Sequence, residues 1–310
     1  ITAGTVSGST ITATIGGTLT DASPSRWTPL NTVFTSNATN LALPASINSN
    51  VSFTGTPTLG NNVTFSQNLT VSSGNLDLNG HTVAVSGSFS VTAGTFTMQN
   101  ALDNLNVAGN VSISSNSASG ALTAGTIRVT GNFTQTNGSG ANFAASAGHR
   151  TLFNSTTSQT ITFASTGGAG HFGDLIIATN TGSATLASAA YAAGVIKDST
   201  GTLSGGSGSL TVTGAASNTA MLNILALTVA STLTNSGTYI VGTTTFNGSG
   251  QTIPALGYSN VVINAGNTTW ADTTTLAGDL TITGGAMNLN AIAVNVGGNC
   301  NFDKVFEYCT

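Results

Sequence analysis

A five-residue phrase that begins with glycine returns at a constant interval in the first half of the chain. Its three copies start at Gly87, Gly109 and Gly131, so they lie 22 residues apart (109−87 and 131−109). They read Gly-Ser-Phe-Ser-Val, Gly-Asn-Val-Ser-Ile and Gly-Asn-Phe-Thr-Gln. A period of roughly 20 to 50 residues is typical of repeat proteins, whose units must stack to bury their apolar faces. The repeat therefore restricts this chain to an array of stacked units.

Each repeat contains a shorter rhythm of apolar residues at positions i and i+2. Successive pairs start six or seven residues apart, and they are Leu69/Val71, Leu76/Leu78, Val83/Val85, Phe89/Val91 and Phe96/Met98. Because side chains alternate across a strand, each pair indicates a short strand with two inward side chains and a Ser, Thr, Asp or Ala facing out. Ser-Gly, Asn-Gly and Ala-Gly dipeptides between the pairs suit sharp corners.

Three such strands and three corners need about 21 residues, which matches the long interval. The sequence thus predicts an all-β fold, namely a parallel β-helix (a three-sided β-solenoid) with about 20–22 residues per coil. An antiparallel sandwich is the alternative. Its strands, however, usually reach about five or six residues and do not repeat in groups of three.

Charged residues are scarce in this chain. Of its 310 residues, 5 are Lys or Arg and 9 are Asp or Glu, which amounts to 5%, against roughly 25% in ordinary soluble proteins. Ser, Thr, Asn and Gly replace them, so we expect a neutral, hydrogen-bonding surface that favours self-association. This composition indicates an exported protein, extracellular or at the cell surface, whose numbering begins after signal-peptide removal.

Composition also argues against two classes of partner. The formal net charge is −4, and five basic residues form no basic stripe for nucleic acid. No stretch reaches the roughly 18 consecutive apolar residues that a transmembrane helix needs. We therefore expect neither nucleic-acid binding nor a transmembrane segment.

The repeat divides the chain into three regions. Residues 1–50 contain three of the five prolines, and since proline cannot donate to a ladder, we expect N-terminal strands followed by an irregular cap. Residues 51–299 are predicted to form the solenoid array. Within it, 153–199 and 246–290 form a partial duplication, marked by Phe-Asn and Gln-Thr-Ile in each copy.

Residues 300–310 form a tail that two cysteines, Cys300 and Cys309, bracket. In an exported protein we predict a disulfide between them, with two free thiols as the alternative. A metal site is not expected, because the two cysteines lack nearby histidine partners.

No constellation of residues suggests an enzyme, a cofactor or a metal site. A carbohydrate-cleaving β-helix needs acidic residues clustered on one face. The aspartates of this chain are scattered instead, at Asp77, Asp103, Asp174, Asp198, Asp272 and Asp279. Phosphate-binding, dinucleotide-binding and calcium-binding motifs are also absent.

Two weaker patterns remain. His149 and His171 are 22 residues apart and could meet across stacked coils, although two solvent-facing side chains are the simpler expectation. Thr-x-Thr pairs occur, as at 12/14 and 160/162, and one such pair per coil on a flat face could bind ice. These pairs do not recur at the coil interval, so ice binding is a minor alternative.

Several segments resemble the β-strand repeats of large bacterial surface and secreted proteins, including filamentous-haemagglutinin-type adhesins and autotransporter-like passengers. The segments are NLTVSSGNLDLNGHTVAVSGSFSV, GDLTITGGAMNLNAIAVNVGGN and FNGSGQTI, and the resemblance covers about residues 51–302. It implies a right-handed parallel β-helix, secretion, and an adhesive or structural role. It offers no catalytic residue to transfer to this chain.

We expect an extracellular structural protein that assembles with itself into a filament or surface fibre. A solenoid has two open ends with unpaired strand edges, and head-to-tail docking extends the same ladder. The residues expected to mediate assembly lie near the termini: Ile1, Phe302, Phe306 and Tyr308.

The alternative is a monomeric adhesin or glycan-binding module that contacts a host surface or its glycans. That function needs an exposed aromatic patch, for which Trp27, Phe172 and Trp270 are the candidates.

Overall fold

The computed structural model describes residues 6–20, 27–115, 121–136, 142–166, 170–264, 266–289 and 291–303. Within these ranges there is no helix, and parallel strands stack as a β-solenoid of about 14 turns. The predicted all-β parallel solenoid is confirmed. The strands, in chain order, are β1 (Val6–Ile15), β2 (Trp27–Phe34), β3 (Ser46–Ile47), β4 (Asn50–Phe53), β5 (Val63–Phe65), β6 (Leu69–Val71), β7 (Asn75–Asp77), β8 (Thr82–Val85), β9 (Phe89–Val91), β10 (Thr95–Thr97), β11 (Asn104–Val107), β12 (Val111–Ile113), β13 (Thr126–Val129), β14 (Phe133–Gln135), β15 (Phe143–Ala144), β16 (Arg150–Phe153), β17 (Gln159–Phe163), β18 (Gly170–His171), β19 (Asp174–Leu186), β20 (Ala190–Ala192), β21 (Ile196–Val212), β22 (Ala216–Asn218), β23 (Met221–Val229), β24 (Leu233–Asn235), β25 (Thr238–Phe246), β26 (Thr252–Ile253), β27 (Asn260–Ile263), β28 (Asn267–Trp270), β29 (Thr274–Leu276), β30 (Leu280–Ile282), β31 (Ala286–Asn288), β32 (Val294–Val296) and β33 (Cys300–Phe302).

The strands belong to two compact units. The first unit consists of the described residues of Ile1–Ser155 and Gln159–Asp174. The second consists of the described residues of Thr156–Ser158 and Leu175–Thr310.

Three sides of the solenoid are visible in the first unit. One side is a parallel sheet of eight strands, β1, β2, β4, β6, β9, β12, β14 and β17. A second side contains β3, β5, β8, β11, β13 and β16. The third side is shorter and includes the β7–β10 and β15–β18 pairs. Each strand pairs in parallel with its equivalent in the next coil, as a solenoid requires.

The 22-residue interval of the glycine phrase corresponds to one coil. Phe89 pairs with Val111, and Val111 pairs with Phe133, so the repeated apolar residues stack directly above one another. The glycine itself is required because backbones approach closely at this corner. A Cβ atom added to Gly131 would lie only 2.4 Å from the carbonyl oxygen of Gly109, far inside van der Waals contact, so only glycine fits.

Coil length varies more than the sequence suggested. The interval between paired residues is 17 from Val229 to Phe246 (246−229) and 28 from Gln135 to Phe163 (163−135). Extra residues are accommodated at the corners, and the strands remain paired in register because the ladder hydrogen bonds fix their stacking.

The N-terminal region departs from the expected irregular cap, because β2 is a strand of the array. Residues Asn31 to Phe34 of β2 pair with β4 on one side, and the same residues pair with β1 on the other. Pro29 lies before this doubly paired part and pairs only with Gly8 of β1. A proline without an N–H group is tolerated there, because it has a neighbouring strand on one side only.

In the second unit, long strands follow more than one side of a coil. Residues 196–198 of β21 pair with β22, whereas residues 202–212 of the same strand pair with β23. The strands β23, β25, β27, β30 and β33 then continue the parallel ladder towards the C-terminal end of the described chain.

Candidate functional site

Asparagine side chains connect successive coils at one corner of the first unit. The Oδ1 atom of Asn68 accepts a hydrogen bond from the N–H of Ser88, that of Asn110 from Asn132, and that of Asn132 from Thr160, each at 2.8 Å. Ser88 takes the same role with its Oγ, which accepts from the N–H of Asn110 at 3.2 Å. Every link runs from a side chain of one coil to the main chain of the following coil, so the stack has a direction.

The second unit contains the same kind of ladder. The Oδ1 atom of Asn260 accepts from the N–H of Asp279 at 2.8 Å, and Oδ1 of Asp279 accepts from the N–H of Asn299 at 2.7 Å. Asn299 is exposed and occupies the equivalent position on the last described coil. These ladder residues were not identified from the sequence, although the polar residue that follows the phrase glycine was a visible signal.

The last described coil, which we call the C-terminal coil, contains β31, β32 and β33. Each of these strands pairs on one side with a strand of the preceding coil, namely β28, β29 and β30. Along their other edge no strand is paired among the residues that the structure describes. Within the described ranges this edge is an open ladder, and such an edge is a template for pairing with another strand.

Inward side chains of the C-terminal coil are much more exposed than their equivalents one coil earlier. Phe302 is 49% exposed, whereas Ile282, with which it pairs, is 2% exposed. Val296 is half-buried, whereas its partner Leu276 is fully buried. Leu289 of the same coil is 37% exposed. These residues continue the inward columns of the solenoid core, but no described coil covers them on one side.

The first described coil, which we call the N-terminal coil, also has an unpaired strand edge and partly exposed inward residues. Its strand β1 pairs with β2 alone among the described strands. Ile15 is half-buried, whereas Phe34, with which it pairs in the next coil, is fully buried. Both ends thus combine an unpaired strand edge with incompletely covered apolar residues.

The residues predicted for assembly and for the disulfide divide into two groups. Phe302 and Cys300 lie on the exposed C-terminal coil. Ile1, Phe306, Tyr308 and Cys309 lie outside the described residues, so the Cys300–Cys309 disulfide remains a prediction.

The three aromatic residues proposed for an exposed ligand patch are all buried, which corrects that expectation. Trp27 donates a hydrogen bond from Nε1 to Oγ1 of Thr32 at 2.9 Å, and Trp270 is completely inaccessible. Phe172 packs in a cluster with four other buried phenylalanines, Phe133, Phe143, Phe153 and Phe163. Large aromatic side chains stabilise the core most when they are buried, which explains their location.

His149 is also buried rather than solvent-facing. Its Nδ1 atom lies 2.7 Å from the carbonyl oxygen of Ala124, to which it donates, and its ring contacts Phe143 edge-on. Burial lowers the pKa of His149 to about 4, although the Ala124 carbonyl and the charge of Asp174 oppose this shift. The imidazole is therefore neutral at physiological pH and acts as a structural group.

Asp198 is the most unusual ionisable group of the second unit. Its side chain is buried, and burial raises its pKa to about 7, with the backbone N–H of Leu203 opposing the shift. Within the described part of the chain neither carboxyl oxygen makes a hydrogen bond of ordinary geometry. In the next coil the paired residue, Asn218, donates from Nδ2 to Oδ1 of Asn235 at 2.6 Å and to the carbonyl oxygen of Thr238 at 2.8 Å. Asp198 thus has a carboxyl group at the position where the next coil has the side-chain amide of Asn218.

Asp198 and His149 are single ionisable groups in different units, and the described residues contain no group of three or more His, Cys, Asp or Glu side chains that could hold a metal ion. The same residues contain no helix long and apolar enough to cross a membrane. The surfaces with the clearest capacity for binding are therefore the two terminal coils.

Comparison with known proteins identified no relative. No protein-family model matches the sequence, and no curated protein and no solved structure matches it.

Proposed function

We propose that this protein is an extracellular structural protein that polymerises head to tail into a filament or surface fibre. One observation carries the proposal. Among the residues that the structure describes, the two terminal coils continue the inward columns of interior coils, but their apolar residues are partly exposed and their strand edges are unpaired. The partner that matches the C-terminal coil best is another coil of the same kind, such as the N-terminal coil of a second copy.

The free energy available at this contact is substantial. Burying an exposed Leu, Val or Phe side chain contributes about 1.5–3 kcal/mol. Covering the partly exposed inward residues of the C-terminal coil would thus contribute on the order of 5 kcal/mol, before the costs of association. New ladder hydrogen bonds would satisfy the open strand edges at the same time.

Direction and charge also favour head-to-tail contact. Asn299 stands where Asn260 and Asp279 accept a main-chain N–H from the following coil, so it is placed to accept one from a second copy. The formal net charge of −4 over 310 residues opposes association only weakly. The scarcity of charge and the resemblance to bacterial surface fibres support an extracellular location.

The experiment compares two substitutions on the same strand. Phe302→Asp places a carboxylate on the inward column of the C-terminal coil, whereas Asn301→Asp places one on the outward, exposed position next to it. We expect the unmodified protein and Asn301→Asp to form fibres of uniform width in negative-stain electron microscopy. Phe302→Asp should sediment as a monomer, because docking would bury the new charge.

Two results would contradict the proposal. The first is an unmodified protein that remains monomeric at every concentration tested, and the second is Phe302→Asp polymerising as well as Asn301→Asp. Repeating the imaging with a reducing agent tests the predicted Cys300–Cys309 disulfide separately. Loss of fibres only on reduction would locate that bond at the junction.

A further inference from the structure

One side of the first unit carries a regular array of hydroxyl groups, which we call the hydroxyl face. It lies on the outward side of β1, β2, β4, β6, β9, β12, β14 and β17, which pair in register. A middle column runs from Thr14 to Thr162 along these strands, and a second column, two residues further along each strand, runs from Thr35 to Ala164. Three central coils read Thr70-x-Ser72, Ser90-x-Thr92 and Ser112-x-Ser114.

The Thr-x-Thr pairs noted in the sequence lie only partly on this face. Thr14 and Thr162 lie at the two ends of the middle column, and serine or threonine continues this column on all but one strand between them. Thr12 and Thr160 lie in a neighbouring column, where asparagine occupies five of the six positions between them. Of the fifteen positions in the middle and second columns, eight are threonine and five are serine. The two Thr-x-Thr pairs themselves therefore do not recur on successive coils, whereas hydroxyl pairs of the middle and second columns occur on five successive strands, β4, β6, β9, β12 and β14.

Hydrogen bonds hold the array in place. In the second column the hydroxyls of Thr35, Thr54 and Ser72 donate to carbonyl oxygens of the preceding coil, at 3.3–3.4 Å. In the middle column the hydroxyls of Thr70 and Ser90 lie 3.0 Å apart. Their rotamers are therefore defined before any ligand binds, and a rigid array loses little conformational entropy on binding.

The face is also uncharged and free of aromatic residues in these columns. A charged ligand would lack an ionic partner, and a glycan would lack the aromatic ring on which sugars usually stack. Its hydroxyls repeat at about 4.8 Å from coil to coil and about 6.7 Å along each strand. A ligand that matches many of these groups together must itself be a flat, neutral lattice of hydrogen-bonding atoms.

We propose that the hydroxyl face binds the surface of ice. Planes of ice present rows of water oxygens at comparable spacings. A rigid face that orders water in the same pattern joins the lattice through many weak hydrogen bonds at once. This activity concerns the side of the first unit and does not depend on polymerisation.

The test introduces one bulky side chain on the face and a matched one elsewhere. Ser90→Tyr places a ring at the centre of the hydroxyl face, whereas Ala84→Tyr places the same ring on the outward side of β8, in the same coil but on another side of the solenoid. We expect the unmodified protein and Ala84→Tyr to be enriched in slowly growing ice and to inhibit ice recrystallisation. Ser90→Tyr should need about a tenfold higher concentration for the same inhibition.

A second variant controls for the possibility that Ser90→Tyr misfolds. Ser112→Lys lies in the middle column, and its long side chain can reach solvent without disturbing the core, so it should lose ice binding while the tryptophan fluorescence of the folded state is retained. Exclusion of the unmodified protein from ice, or equal activity of Ser90→Tyr, Ser112→Lys and Ala84→Tyr, would overturn the proposal. Binding of crystalline polysaccharide through this face, without enrichment in ice, would also overturn it.

Discussion

Replacing Asp198 by asparagine should stabilise the second unit, and the gain should increase with pH. The buried carboxyl of Asp198 stands in a column where the next coil has Asn218, whose amide donates two hydrogen bonds. A carboxyl group can donate in this position only when it is protonated. Asparagine has nearly the same shape, supplies the donor at every pH and never becomes charged.

The magnitude follows from the pKa of Asp198. The unfolded chain loses this proton near pH 3.8, whereas the folded protein keeps it until about pH 7 because of burial. Between these values the folded state binds more protons than the unfolded state, so the free energy of unfolding falls as pH rises and becomes constant above pH 7. At about 1.4 kcal/mol for each tenfold difference in proton affinity, the full loss is about 4 kcal/mol.

Urea unfolding at pH 4, 6 and 8 measures this gain. The chain has 2 tryptophans, so a Trp27→Phe background leaves Trp270, which is buried in the second unit, as the only tryptophan reporter. Asp198→Asn should have nearly the same stability as its parent at pH 4 and about 4 kcal/mol more at pH 8. The reciprocal variant Asn218→Asp should be destabilised at pH 8, because it removes both amide donors and buries a second carboxylate.

The reasoning would be refuted by a gain that is the same at pH 4 and pH 8. Such a result would mean that Asp198 ionises equally easily in both states and that the substitution acts through packing alone. A loss of stability at pH 8 would likewise exclude the proposed burial of a proton-bearing carboxyl.

Three further predictions concern the first unit. Burial lowers the pKa of His149 from 6.5 to about 4, so the free energy of unfolding should be highest above pH 6.5 and should fall by about 3 kcal/mol by pH 4. His149→Asn should flatten this pH dependence in urea unfolding followed by fluorescence. Gln159→Ala should cost about 1–3 kcal/mol in the same assay, because the Gln159 side chain hydrogen-bonds the carbonyl oxygens of Val129 and Gly131 in the preceding coil. Gly131→Ala should destabilise by about 1–3 kcal/mol or prevent folding, since its Cβ would meet a carbonyl oxygen at 2.4 Å. Gly17→Ala, with no atom within 4 Å of the new Cβ, is the matched control and should leave the melting temperature nearly unchanged.

The architecture of the fold could be predicted because short sequence patterns indicate where each strand lies and where each coil begins. The i, i+2 pairs at 89/91 became strand β9, and the glycine interval of 22 became the pairing of Phe89 with Val111 and Phe133. The equivalent glutamines of the partial duplication, Gln159 and Gln251, both donate to carbonyl oxygens of the preceding coil. Repeats of this kind contact only their neighbours, so a local pattern is sufficient to define the architecture.

The candidate sites could be predicted only in part. The sequence indicated an apolar residue at the C-terminal end, and Phe302 is indeed exposed there. It did not distinguish buried from exposed residues at the corners, where the alternation of side chains breaks down. His149 and Phe172 were expected outside and lie in the core, where Phe172 packs against Phe133 and the His149 ring contacts Phe143.

By itself, the sequence determined that this chain stacks parallel coils and that its surface is neutral and rich in hydroxyl and amide groups. The tertiary structure decided which of those groups share a column. Coil intervals range from 17 to 28 residues, so no fixed spacing in the sequence reveals that Thr14 and Thr162 belong to one array. The backbone hydrogen bonds between coils set the register, and this register, rather than distance along the chain, aligns the hydroxyl face.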